Sequence, residues 1–199
     1  MKVLFVNTSE EEHGLLEKGI LKCSDVLKEN GIETEIIWAY EKIHPCTSCG
    51  KCLKRRTCLF EGIVNEISEK SDEFDALVVG VDVIFSQPSK PAIDFMDCLF
   101  RSCNEKYVGK CGAVILSSRN DNTQVAYDRM NHYFSSSCMP VITGRYQNTI
   151  IEDDDRSMKE METLGKNLSW ILKCIQLGKQ EGIINDIQVD KLDEFMRGR

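Results

Sequence analysis

With 199 residues, 42% of them apolar and 29% charged, the chain is long enough to bury a full core and reads as one globular domain. A formal charge of −7 argues against general nucleic-acid binding, and no apolar run has the length of a membrane span. Ten cysteines behind an opening stretch too short for a secretory signal lead us to expect a reducing, cytoplasmic and oxygen-poor setting.

Residues 2–6 are a short β-branched run that predicts a buried strand, and the polar stretch 8–14 predicts a loop. Leu15, Leu16, Gly19, Ile20, Cys23, Val26 and Leu27 then recur at helical spacing, up to the stop signal Asn30-Gly31. Residues 33–38 read as a second strand. Behind it comes Cys46-Thr-Ser-Cys49-Gly-Lys-Cys52-Leu-Lys-Arg-Arg-Thr-Cys58, opened by His44-Pro45. Four thiols fall within thirteen positions at a C-x2-C-x2-C-x5-C spacing. Three evenly stepped thiolates with a more distant fourth suit a [4Fe–4S] cluster. Ser48 and Gly50 let the backbone approach the sulfurs, while Lys51, Lys54, Arg55 and Arg56 would offset the net negative charge of such a cluster. Structural zinc more often uses two separated C-x2-C knuckles. Zinc, a disulfide pair and inert thiols stay open as readings of this spacing.

Ile63, Ile67 and Phe74 suggest a short helix and a turn, followed by the continuous apolar strand 76–81. Pro88 and Pro91 open a helix through Ile93, Met96, Leu99 and Phe100. Residues 111–116 read as a fourth strand, 122–137 as a helix, and 139–143 as a fifth strand behind Pro140. From Asp153 onward, Met158, Met161, Leu164, Leu168, Ile171, Leu172 and Ile175 form a stripe most simply read as the core face of a long helix. The Asp153-Asp154-Asp155 run ahead of it suits a helix N-terminus. This gives a domain at 1–180 containing a Cys-rich loop at 44–60, and a C-terminal extension at 181–199. Cys98 and Cys103 share a helix but not a face, and Cys23, Cys111, Cys138 and Cys174 occupy apolar positions, where buried cysteines act as small hydrophobes. His44 could hydrogen-bond a cluster sulfur or simply face solvent, and His13 and His132 carry no visible partner.

Five alternations of strand and helix imply an α/β doubly wound parallel sheet, with the flavodoxin-like order 2-1-3-4-5 and the Cys-rich loop inserted after strand two. Ligands of such sheets bind beyond the carboxyl ends of the strands, here at 8–14, 81–89 and 117–122.

Together these features resemble the iron–sulfur flavoproteins of the NADPH-dependent FMN reductase and multimeric-flavodoxin superfamily. The likeness runs from Met1 to about Leu177. It is most specific from Ile43 to Cys58, and it includes Val64-Asn-Glu-Ile67, the segment 89–97, Ser118-Arg119-Asn120 and Leu164-Gly165-Lys166. The resemblance implies a [4Fe–4S] cluster on Cys46, Cys49, Cys52 and Cys58. It further implies FMN, with its phosphate at Thr8, Ser9 and Gly14, its ring flanked by Ile84 and Phe85, and its pyrimidine edge at Ser118, Arg119 and Asn120. Electron transfer between cluster and flavin, linked to NAD(P)H or a ferredoxin-type partner, and a homodimer or homotetramer follow as expectations.

The chain departs from that pattern in two places. The family's Asn-Gly-Ser-Pro-Arg loop with its closing Gly-Asn-Thr is Asn7-Thr8-Ser9-Glu10-Glu11-Glu12-His13-Gly14 here, and carboxylates repel a phosphate unless they turn to solvent. Val81-Asp82-Val83-Ile84 replaces Ser-Pro-Val-Tyr, leaving Phe85 as the aromatic wall. A cluster-only carrier or partner subunit, and a zinc-stabilised interaction module, are the alternatives.

Overall fold

Side chains on a strand alternate between faces, so an apolar run without polar interruptions must be covered on both sides. In the computed structural model, which describes residues 1–119 and 122–183, three such strands form the centre of the sheet. They are β1 (Lys2–Asn7), β3 (Ala76–Ile84) and β5 (Cys111–Ser117). Val3, Phe5, Ala76, Val78, Ala113 and Ile115 join one core with α1 (Leu15–Glu29) and α6 (Asp155–Gln180). Leu4, Val6, Leu77, Val79, Val114 and Leu116 join the opposite core. Its other side is α3 (Ile63–Glu69), α4 (Lys90–Cys103) and α5 (Gln124–Ser136). Each fully buried aliphatic or Phe side chain contributes about 1.5–3 kcal/mol.

With β2 (Glu33–Trp38) and β6 (Thr149–Ile150), the parallel sheet runs β2-β1-β3-β5-β6, the expected flavodoxin-like order. One strand lies outside expectation: β4 (Gln87–Pro88) folds back antiparallel on β3. The two residues at that hairpin tip, Phe85 and Ser86, both have positive φ, +48° and +64°, as a tight two-residue turn requires.

The predicted strand at 139–143 is the main correction to the fold. Only Val141 bridges to Gly112, and the strand that continues this edge is the two-residue β6. Pro140 has no N–H to give, and Met139 donates its own to Phe134 O at the end of α5. The chain is then drawn off the sheet by Glu160 of α6, which is 3% exposed. Its carboxylate accepts from the amides of Arg145, Tyr146 and Asn148 at 2.9, 2.5 and 3.0 Å. A buried carboxylate holding three amides outweighs one more turn of β-ladder.

The apolar stripe of α6 lies on the sheet, as its spacing predicts. Gly165 marks the closest approach of α6 to α1, since a Cβ there would sit 2.9 Å from Val26 Cβ and 3.0 Å from Cys23 O. Asp154 caps α6 by accepting from Ser157 N–H at 2.9 Å. No helix among the described residues is long and apolar enough to cross a membrane. All but the first three residues of the expected extension, 184–199, lie outside the described residues. Because the sheet is parallel, the loops after β1, β2, β3 and β5 emerge along one edge, which gathers the candidate sites.

Candidate functional site

The Cys-rich loop turns on two left-handed residues. Ser48 (φ 53°) lies between Cys46 and Cys49, and Gly50 (φ 68°) lies between Cys49 and Cys52. These reversals bring successive thiols to the same side. A one-turn helix, α2 (Cys52–Arg55), follows and is ended by Arg56 at φ 59°, whose N–H donates to Cys52 O at 2.8 Å. Asn65 of α3 closes the loop. It accepts from Cys58 N–H at 2.9 Å and donates to the carbonyls of Cys58 and Phe60 at 3.2 and 3.1 Å.

Cys46, Cys49, Cys52 and Cys58 all line one pocket, together with Cys98, Arg101 and Ser102 of α4. No three of the four loop sulfurs lie mutually within 4.8 Å. Tetrahedral zinc with Zn–S bonds of about 2.3 Å would hold its sulfurs about 3.8 Å apart. A cubane spreads its ligands over four separate irons and needs the wider arrangement. The N–H of Lys51 and the hydroxyl of Thr47 draw the Cys49 thiol below its usual range. Burial pushes Cys52 up, opposed by the charge of Arg101. Four thiols, a nearby guanidinium and an amide aimed at sulfur are a donor set that fits an iron–sulfur cluster.

The second site is a crevice of about 660 Å³ between the loops after β1, β3 and β5. Ser9, Ile84, Phe85, Ser118 and Arg119 line it, while Asn120 lies outside the described residues. Thr8 and Gly14 are not among its lining residues. The Thr8 hydroxyl is buried and donates to Gly80 O at 2.6 Å, and Gly14 N–H donates to Glu11 O at 3.3 Å. Phe85 is 97% exposed, so it stands at the mouth of the crevice instead of walling it.

The volume suits a flat ring system such as a flavin, but the expected phosphate end does not fit. Ser9 N–H is held by Asn7 Oδ1 at 3.0 Å, and the Ser9 hydroxyl accepts from Glu11 N–H at 3.2 Å and bonds the Asp82 carboxylate. Trp38 Nε1 pins the same turn by donating to Ser9 O at 2.8 Å. The N–H and hydroxyl of Ser9 are thus spent inside the loop, while Glu10, Glu11 and Asp82 line the crevice. Burial raises Asp82 above the usual carboxylate range, the Ser9 hydroxyl opposes that rise, and Glu11 adds to it.

Sequence reasoning misses Cys98, Arg101 and Asn65 at the thiol pocket and Asp82 in the crevice. The sequence reading places Cys98 only on the helix it shares with Cys103; it is buried, and its Sγ donates to His44 O at 3.5 Å, across 54 residues of sequence. No local spacing announces such a contact. Cys23 and Cys111 are buried as expected, whereas Cys138 is only half-buried and Cys174 is exposed on the outer face of α6. His13 pairs with Glu17 at 2.9 Å, one turn along the same helix start.

A model of the NADPH-dependent FMN reductase family matches residues 1–149. An iron–sulfur flavoprotein of Methanocaldococcus jannaschii is 27% identical over 196 residues, spanning 88% of this chain and 100% of its own length. An iron–sulfur flavoprotein of Methanosarcina thermophila is 25% identical over 191 residues, spanning 91% of this chain and 100% of its own. Among solved structures, a flavodoxin from the domain Archaea superposes with a TM-score of 0.60 at 17% identity, covering 87% of this chain and 99% of its own. The order of the sheet, the crevice at its carboxyl edge and the match over three quarters of the length agree: the chain belongs to the NADPH-dependent FMN reductase family and has a flavodoxin-like fold.

Proposed function

We propose that the protein is an electron-transfer iron–sulfur flavoprotein that holds a [4Fe–4S] cluster on Cys46, Cys49, Cys52 and Cys58 and works as an FMN-dependent oxidoreductase. The observation that carries this reading is that four thiols from one loop line one pocket while spaced more widely than a single zinc ion would hold them. A cluster supplies one-electron chemistry when bound. The chain's own residues do the rest. Arg101 and the N–H of Lys51 offset negative charge at the sulfurs, Leu59 and Phe60 restrict water, and Asn65 keeps Cys58 in place.

Flavin enters the proposal from the family and from the two named relatives, and the crevice has room for its ring beside Ile84, Ser118 and Arg119. The spent donors of the first loop favour a second reading, a cluster-only carrier or partner subunit. Leu53, Leu59 and Phe60 are exposed around the thiol pocket, which suits docking of a ferredoxin-type donor or a neighbouring subunit in a homodimer or homotetramer.

Iron, acid-labile sulfide, zinc and flavin measured on anaerobically purified protein test the proposal. About four iron and four sulfide per chain with a broad visible absorbance are expected. Flavin alongside them supports the first reading, its absence supports the second, and failure of the metal-free protein to take up iron and sulfide on anaerobic reconstitution overturns both.

A further inference from the structure

We propose that His44, Cys58 and Cys98 form a mononuclear site for a borderline-soft divalent ion such as Zn²⁺, overlapping the thiol quartet at Cys58 and occupied when the cluster is absent. Among the described residues this is the group of potential ligands whose donor atoms lie mutually within 4.8 Å. That is within about 1 Å of the roughly 3.8 Å at which one tetrahedral zinc holds its sulfurs, and no three sulfurs of the quartet come as close. The elements that carry the three ligands are held without the ion. Cys98 sits on α4 beneath the loop, where in the metal-free state its thiol donates to His44 O, Cys58 is clamped by Asn65, and the His44 ring meets Phe60 edge-on at 4.8 Å. Cys46 also contacts Cys98, and a water would complete the coordination.

Binding requires thiolates and a neutral imidazole, so the ion displaces the protons of Cys58 and Cys98 to solvent and two protons are released per ion bound. No electrons are exchanged. Cys58 cannot serve a cluster and this ion together, so the loop has two exclusive states: a cubane on the quartet, or one ion on the trio. The proposal goes beyond the cluster reading, and the trio's affinity is measurable whether or not the quartet assembles one.

Cobalt(II) alone is the probe, titrated anaerobically into metal-free full-length protein, because its thiolate charge-transfer and ligand-field bands report tetrahedral sulfur ligation. One cobalt per chain is expected, with affinity at least tenfold lower in Cys98→Ser and in His44→Ala and unchanged in Cys49→Ser and Cys52→Ser. His44 is only half-buried, so its replacement keeps the test valid even if Cys98→Ser disturbs α4. Zinc added beforehand should slow iron and sulfide incorporation in the wild type and not in His44→Ala. Absence of cobalt binding, wild-type affinity in the Cys98 and His44 variants, or loss in the Cys49 and Cys52 variants overturns the proposal. Failure of iron and sulfide incorporation in every variant and in wild type would count against the cluster reading and leave the cobalt result standing.

Discussion

The Cys-rich loop and the shorter loop after β1 leave the same edge of the sheet and differ in where their hydrogen bonds go. In the first, the backbone is tied down from outside by Asn65, and the ligand side chains are left facing a common pocket. In the second, Asn7, Thr8 and Ser9 spend their own side chains on the backbone and on Asp82. A loop that builds itself from the groups it would offer a ligand is well ordered but closed. A loop braced by a neighbour keeps its groups available.

The largest expected effect breaks the first loop chemically. Cys46→Ser or Cys52→Ser should reduce retained iron and sulfide by tenfold or more, while Ser9→Ala should leave both unchanged, as read by metal and sulfide analysis. Next, Asn65→Ala removes the brace. Loss of three hydrogen bonds at a half-buried site should cost about 1–3 kcal/mol in urea unfolding and quicken bleaching of the visible absorbance by a chelator.

The closed loop can be opened in the other direction. Replacing Glu10 by Pro and Glu11 by Arg should raise FMN affinity about tenfold, near 1.4 kcal/mol, and leave riboflavin affinity unchanged in fluorescence-quenching titrations. Equal gains for both ligands would show that charge at the phosphate end is not the obstacle. The smallest effect concerns Asp82. Burial raises its pKa in the folded protein above the unfolded value near 3.8, so the native state holds that proton to higher pH than the unfolded chain does. Stability from this group therefore falls as pH rises from about 3.8 through the folded pKa. Asp82→Asn should flatten that slope, raising Tm slightly at pH 7 and not at pH 3.

The sheet and its order are legible in the sequence because β1, β3 and β5 need cover on both faces, and only helices on both sides provide it. The thiol quartet is legible because its geometry is local, set by Ser48 and Gly50 between ligands. What cannot be read depends on distant partners. Residues 139–143 have strand-like composition, yet Glu160, on another helix, takes the amides that follow and ends the pairing. Cys98 is only a helix position off the Cys103 face until α4 is packed beneath the loop. The phosphate loop departs visibly from its family's pattern, but the departure reaches past charge. The Ser9 hydroxyl that matches the family's pattern is occupied by Asp82, a residue 73 positions away.

Helix α4 begins at the crevice, where Ser89 N–H donates to Asp82 O at 2.7 Å, and passes beneath the thiol pocket at Cys98 and Arg101. From Ser89 to Cys98 the axis rises about 14 Å, so a rigid rod, not a pliable tether, fixes the gap between the two sites. Its angular phase is fixed as well. One residue inserted midway along that rod would swing Cys98 and Arg101 about 100° away from the sulfurs they face, leaving both loops intact but out of step with each other.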